Sequence, residues 1–210
     1  MYLQEIKINL RYIAIIDYGA GNLRSVQKAF EKIGQTAFIA STKSELDKAT
    51  AIVFPGQGSF PQAMRGLESR DMLSFIQSWI KAGNPFLGVC LGLQLLLEYS
   101  EEGNCEGLGI VPGAVKKFTG DQKIPHMGWN TVELSEPHPL FENVDTKNPF
   151  YFVHSYYAEV TNKEWLKGIT QYGNKFCSFL GRENISATQF HPEKSGAVGL
   201  KLYANFIETL

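Results

Sequence analysis

The chain has 210 residues, a formal net charge of −1 and 20% charged residues, with its basic residues scattered rather than clustered. Such a surface offers no electrostatic field for nucleic acid or for an anionic membrane. Three cysteines, Cys90, Cys105 and Cys177, lie far apart without a CxxC pair, so neither a disulfide framework nor a zinc site is indicated and a reducing compartment is the simpler inference.

Residues 1–11 precede the first convincing strand and read as an N-terminal extension or an extra strand. The remainder, 12–210, reads as a single domain, long enough to bury a full core without staples. No apolar run reaches the roughly 20 residues that span a bilayer, and Met1-Tyr2-Leu3-Gln4-Glu5-Ile6-Lys7 lacks the charged-then-apolar order of a signal peptide. A cytoplasmic protein is expected.

Tyr12 to Asp17 reads as a buried strand that runs through Tyr18-Gly19-Ala20-Gly21-Asn22 into a helix ending near Ile33. The dinucleotide fingerprint would need glycine where Arg24 stands, and no acid follows the second strand at the usual spacing, so a nicotinamide cofactor is rejected and none other is expected. Thr36–Ala40 and Ala51–Phe54 follow as strands, with Thr42 or Ser44 capping a helix start between them. In Pro55-Gly56-Gln57-Gly58-Ser59-Phe60, alternate glycines permit unusual backbone angles; backbone N–H groups there either face a ligand or make a plain strand-to-helix turn. From Asp71 to Ala82, Met72, Phe75, Ile76, Trp79 and Ile80 recur at helical spacing, and Gly83 is the stop.

Pro85 to Gln94 then joins a short apolar strand to an apolar helix through Gly88-Val89-Cys90-Leu91-Gly92. This is the pattern of a nucleophile elbow with sulfur in place of oxygen: a sharp turn lifts the nucleophile above the sheet, and the flanking glycines avoid a Cβ that would strike neighbouring backbone. A helix from Leu91 to about Ser100 would aim its N–H groups at Cys90 and favour thiolate. The Leu91 N–H would be half of an oxyanion hole. A buried structural cysteine at a helix start is the competing reading.

After Gly103 the texture changes to short runs, Ala114–Phe118, Trp129–Leu134, Phe150–Val160, Gly168–Tyr172 and Cys177–Leu180, read as antiparallel strands added to the same core. A helix over Ala197–Thr209 closes the chain, with Leu200, Ala204 and Ile207 on one face. The expected fold class is therefore α/β: a mainly parallel central sheet flanked by helices, with additional antiparallel strands in the second half and Cys90 at the carboxyl end of a strand, where such sheets bind ligands.

A nucleophilic thiol needs a base. His138, in Glu-Pro-His-Pro-Leu, reads as a surface turn residue, while His126 and His154 lie in apolar settings without an acid at short range. His191 has one: in His191-Pro192-Glu193 the proline favours extended backbone, so positions i and i+2 project to one side and the Glu193 carboxylate nears the imidazole. A carboxylate there selects the tautomer and stabilises imidazolium, as the third member of a triad does. Metal ligation is the weaker use, since no further ligands stand at a recognisable spacing.

The elbow, the glycine loop and His-Pro-Glu, in that order, resemble the class I (triad) glutamine amidotransferases, a flavodoxin-like fold. More narrowly, the chain is similar to the glutaminase subunits of imidazole glycerol phosphate synthase, in the histidine pathway. The strings that carry this are Asp17-Tyr18-Gly19-x-Gly21-Asn22-Leu23, Pro55-Gly56-x-Gly58-x-Phe60, Gly88 to Gln94, Pro125-His126-Met127-Gly128-Trp129-Asn130, Tyr151 to Tyr156 and Phe190 to Gly196.

The resemblance implies that Cys90 attacks the side-chain amide of L-glutamine, His191 shuttles the proton and Glu193 orients His191. It implies an oxyanion hole from the N–H of Leu91 and a peptide N–H at Gln57 or Gly58, the peptide needing reorientation first. Gly56, Gln94, Ser155 and Tyr156 would hold substrate. Asn22, Trp129, Tyr151 and Lys194 would lie toward a partner, a (β/α)8-barrel cyclase subunit that receives ammonia and makes imidazole glycerol phosphate and AICAR from PRFAR; no metal is implied. Core packing is the competing reading of Trp129 and Tyr151. Two other functions fit the same motifs: the ammonia supplier of a paralogous barrel, and a non-catalytic binding module that keeps only the fold.

Overall fold

Ile13 and Ile15 pack into one hydrophobic cluster and Ala14 and Ile16 into another, the two-residue alternation of a strand covered on both faces. The computed structural model describes residues 11–210. The predicted N-terminal extension thus lies outside the described residues, except for Arg11, whose guanidinium donates to the Ile207 carbonyl. The first half alternates as anticipated: β1 (Ile13–Ile16), α1 (Leu23–Lys32), β2 (Ala37–Ala40), α2 (Lys43–Leu46), β3 (Ala51–Phe54), α3 (Phe60–Glu68), α4 (Leu73–Lys81) and β4 (Phe86–Val89). Asn22 caps α1, and Thr42 with Glu45 forms a capping box on α2.

The second half comprises α5 (Leu91–Gln94), β5 (Leu97–Ser100), β6 (Cys105–Glu106), β7 (Val111–Lys117), β8 (His126–Asn130), β9 (Glu133–Leu134), β10 (Phe150–His154), β11 (Tyr156–Val160), β12 (Leu166–Tyr172), β13 (Asn174–Arg182), β14 (Ile185–Thr188) and α6 (Gly196–Glu208). The main sheet runs β2-β1-β3-β4-β14-β13-β11-β7-β5-β6, with β12 and β9 beside β13. Its first five strands are parallel, and β14 to β7 are antiparallel. Phe30, Leu202, Tyr203 and Phe206 of α1 and α6 cover one face of the parallel part, and Phe60, Ala63, Leu67 and Ile76 of α3 and α4 cover the other.

Several local expectations change. The helix after Cys90 is a single turn, because Leu95, Leu96 and Leu97 are all fully buried and the chain swings directly into β5 beside β7. A continuous apolar run has no period by which to tell helix from strand. Trp129–Leu134 splits into β8 and β9 in different sheets, and Phe150–Val160 splits at Ser155 into β10, which pairs with β8 as a separate ribbon, and β11, which joins the main sheet. β14, a strand the sequence pattern does not announce, follows β13 as a parallel neighbour of β4. His138 stands at the expected turn but is only partly exposed, capping Pro139–Phe141 with its Nδ1 accepting from the Leu140 N–H.

Across the ribbon, His126 faces His154. The Tyr156 carbonyl accepts from His154 Nδ1 at 2.8 Å, so His154 Nε2 is the acceptor for His126 Nδ1 at 3.0 Å. Burial pushes His126 down to about 4 and His154 to about 3, so both are neutral near pH 7.

Two predictions follow from the packing. A Cβ on Gly92 would stand 2.1 Å from the Phe54 carbonyl oxygen, whereas one on Gly34 meets nothing. Gly92→Ala should therefore lose about 1–3 kcal/mol or more in urea unfolding, against about 1–2 kcal/mol of left-handed strain for Gly34→Ala. The unfolded chain binds protons on His126 and His154 near pH 6.5 and the folded chain does so only well below. Stability should accordingly be full above about pH 6.5 and decline toward pH 4. His154→Gln should flatten that decline in pH-dependent denaturation.

Candidate active site

β3, β4 and β14 are adjacent and parallel, so the segments that leave their carboxyl ends meet above one edge of the sheet. These segments carry Gly56-Gln57-Gly58, Cys90 and His191. Cys90 has φ 53° and ψ −100°, a left-handed conformation that a residue with a Cβ adopts at a cost of about 1–3 kcal/mol. Its N–H donates to the Thr188 carbonyl at 2.7 Å, anchoring the turn to β14. A Cβ on Gly88 would come within 2.7 Å of the Gly92 carbonyl oxygen, and one on Gly56 within 2.2 Å of Leu91 Cβ. The turn thus closes only with glycine at these positions.

Because α5 has four residues, the dipole of a long helix is absent; what remains is the first-turn N–H groups, which have no intrahelical partner. Leu91 supplies one such group, with Gly56 packed against it.

His191 is extended (φ −103°, ψ 100°), as proline following it requires, but Pro192–Lys194 forms a 3₁₀ turn rather than continuing extended. The pairing nonetheless forms: His191 Nδ1 lies 2.8 Å from Glu193 Oε1, and the Tyr203 hydroxyl donates to Oε2 at 3.2 Å. The His191 backbone is held by its N–H to the Tyr151 carbonyl at 2.9 Å and by the Ser195 hydroxyl on its own carbonyl at 2.6 Å. His191 Nε2 is buried and has no hydrogen-bond partner. Burial works against imidazolium, yet the negative charge of the Cys90 sulfur and the Glu193 carboxylate outweigh it and raise His191 to about 10. Burial works against the Glu193 carboxylate too, and the His191 hydrogen bond and charge overcome it, leaving Glu193 lowered.

A cleft of about 450 Å³ is lined by Cys90, Leu91, His191, Gly56, Gln57, Gly58, Gln94, Ser155, Tyr156 and Lys194, among others. Ten of the residues singled out in the sequence therefore share one cavity. The others divide. Glu193 stands behind His191. Asn22 is an exposed helix cap. Trp129 is 58% exposed and meets Tyr151 edge-on at 5.7 Å, and Lys194 Nζ lies 5.7 Å from the Tyr151 ring, so Trp129 is not a core aromatic. Among the described residues no cluster of three or more His, Cys, Asp or Glu side chains could hold a metal ion.

Gln57 departs from the simplest expectation. Its N–H donates to the Tyr18 hydroxyl at 3.0 Å and its carbonyl accepts from the same hydroxyl at 2.7 Å, so in this conformation its N–H is not a free donor to the cavity. Tyr18 stacks on Phe54, and burial raises it to about 12, so the hydroxyl keeps its proton. Tyr18, Glu102 and Gln189 are site residues that the sequence reading passed over. Glu102 lines the cleft while its Oε2 accepts from the Phe60 N–H at 2.8 Å, capping α3 where Ser59 does not. Gln189 Nε2 lies 3.4 Å from Cys90 Sγ.

Residues 14–209 match the family described as glutamine amidotransferase class-I. The imidazole glycerol phosphate synthase subunit HisH 1 of Campylobacter jejuni (strain RM1221) is 49% identical over 93% of this chain and 98% of that protein. The HisH subunit of Syntrophotalea carbinolica is 45% identical over 92% and 98%. Among solved structures, PurLQS from Thermotoga maritima superposes with a TM-score of 0.75 over 95% of this chain and 98% of the matched chain, at 16% identity, a likeness of fold. The strand order, the elbow and this similarity along nearly the whole length agree: the chain belongs to the class-I glutamine amidotransferases, and among them to the HisH subunits of imidazole glycerol phosphate synthase.

Proposed function

We propose that this chain hydrolyses glutamine to glutamate and ammonia through Cys90, His191 and Glu193, and passes the ammonia to a (β/α)8-barrel cyclase subunit in histidine biosynthesis. The observation that carries the reading is the buried, unpartnered Nε2 of His191 in the cavity it shares with Cys90, its Nδ1 bound to Glu193. That imidazole is oriented for one proton and available for no protein group but the thiol.

In this scheme the Cys90 sulfur, its proton already held by His191, forms a bond to the amide carbon. The C–N bond then breaks, His191 returns the proton to the leaving nitrogen, and ammonia departs from a thioester. Water, deprotonated by His191, attacks the thioester carbon and releases glutamate and the thiol. Glu193, itself held by Tyr203, stabilises the imidazolium at both stages. The Glu102 carboxylate is the cleft's anionic wall and suits the α-ammonium of the substrate. Gln94, Ser155 and Tyr156 hold the remainder.

The negative charge on the substrate oxygen needs two donors. Leu91 supplies one; the second is Gln57 after its peptide turns away from Tyr18, with Gly58 at φ +116° allowing the turn. The isolated chain is accordingly a slow glutaminase, and the partner raises its rate. Trp129, Tyr151 and Lys194 form an aromatic and cationic patch beside the cleft, suited to that partner, with Asn22 at its edge. The cytoplasm is the compartment that fits such a pathway.

Cys90→Ser should lower glutamine-dependent synthesis by the complex at least about a thousandfold, while synthesis from added ammonia continues; glutamine-dependent turnover that persisted would end the assignment. Tyr18→Phe should raise the unstimulated glutaminase rate of the free chain roughly three- to tenfold, the worth of one hydrogen bond, and shrink the partner's stimulation by the same factor. A folded Tyr18→Phe protein with an unchanged or lower rate would show that the tyrosine does not restrain Gln57.

A further inference from the structure

A buried amide that the scheme above leaves without a role lies against the sulfur. Gln189 is fully buried at the end of β14, its N–H held by the Ser178 carbonyl at 2.9 Å. Its Oε1 accepts from Gln94 Nε2 at 3.1 Å, and the same Nε2 donates to the Tyr156 carbonyl at 2.8 Å. A backbone carbonyl only accepts, so it fixes the NH₂ end of Gln94 toward Tyr156. That NH₂ requires the oxygen of Gln189 to face it. The NH₂ of Gln189 is then left pointing at Cys90 Sγ, 3.4 Å away. Turning either amide over sets two donors or two acceptors against each other in a dry site, which is unfavourable.

We propose that Gln189 is a catalytic residue of the glutaminase reaction: its Nε2–H hydrogen-bonds the Cys90 thiolate and stabilises the charged nucleophile before attack, with Gln94 as the positioning residue that keeps the donor turned toward sulfur. The inference rests on the reading of Cys90 as nucleophile. A thiolate accepts a hydrogen bond far more strongly than a thiol, so a donor held there in both states favours the charged one. No proton moves through Gln189; the thiol proton still goes to His191. The position also explains why an amide rather than a carboxylate belongs there, since a carboxylate would repel the sulfur it touches.

The test reads thiol reactivity rather than turnover. The full chain is labelled with iodoacetamide between pH 5.5 and 10, and alkylation at Cys90 is followed by peptide mass spectrometry, which separates it from Cys105 and Cys177. Gln189→Met removes the donor at similar volume; Gln189→Glu keeps the shape but turns a carboxylate oxygen to the sulfur. The ionisable groups around Cys90 are His191 with Glu193 behind it, Tyr18, His154, and the cleft residues Glu102, Tyr156 and Lys194, and neither variant alters them. Gln189→Met should react roughly tenfold more slowly near pH 6.5 and converge with the parent near pH 10, and Gln189→Glu should be slower still. Folded variants whose pH–rate curves superimpose on the parent's, or are displaced by one factor at every pH, overturn the proposal in favour of packing alone. Should Gln189→Met fail to fold, Gln189→Glu and Gln94→Met decide: a slowing confined to low pH supports the proposal and its absence overturns it. A parent chain whose Cys90 is unreactive near pH 6.5 would instead overturn the nucleophile assignment itself.

Discussion

Between Val89 and Leu91 the chain reverses within one residue, and Cys90 carries the strain of that reversal. The left-handed backbone there is stable only because it is fixed from several sides: the Cys90 N–H is tied to Thr188, the Gly88 and Gly92 backbones touch, and Gly56 lies against Leu91. Each contact comes from a different strand end. Removing the parallel neighbours of β4 would therefore relax the turn, and relaxing the turn would withdraw the sulfur from the cleft. The fold and the site are in this sense one constraint, since the tight packing of β3, β4 and β14 is what forces the geometry of Cys90.

The histidines show how the same side chain is given opposite states by its partners. His126, His154 and His191 are all buried. His126 and His154 have only neutral neighbours as hydrogen-bond partners, and burial leaves them uncharged. His191 has a carboxylate on one nitrogen and a sulfur across a gap from the other, and charge prevails over burial.

Much of this was legible in the sequence because it rests on short-range rules. Gly88-x-Cys90-x-Gly92 announces a close backbone approach, His191-Pro192-Glu193 announces a fixed neighbour, and Asn22 and Thr42 announce helix starts. The parallel half reads well because its apolar strands and helices alternate with clear periods. The failures are long-range. Leu91 to Leu97 is apolar throughout and carries no period, so the early end of α5 is set by β7, a strand distant in sequence. The break at Ser155 is set by two different partners, β8 for one side and β7 for the other. Tyr18 looked like part of a strand-to-helix loop, and only the tertiary fold brings its hydroxyl to both polar groups of Gln57. Gln189 was hidden for a simpler reason: a glutamine two residues before a histidine has no signature until its amide is seen to be oriented.

The break at Ser155 also joins two parts of the molecule that would otherwise be independent. On one side of it, β10 belongs to the ribbon that holds Trp129 at the surface; on the other, β11 belongs to the sheet that supports the cleft. The Tyr156 carbonyl, at that junction, accepts from His154 of the ribbon and from Gln94 beneath the cysteine. From Asn130 through His126, His154, Tyr156, Gln94 and Gln189 to Cys90, neighbouring groups are within hydrogen-bond distance, and none of the intervening side chains is charged near neutral pH. A neutral chain of this kind cannot carry net charge from one end to the other, but it does tie positions together: moving the ribbon moves a carbonyl on which the orientation of two amides depends. Any force applied at Trp129 and Tyr151 therefore acts on a strand whose end shares an acceptor with the groups that hold the sulfur.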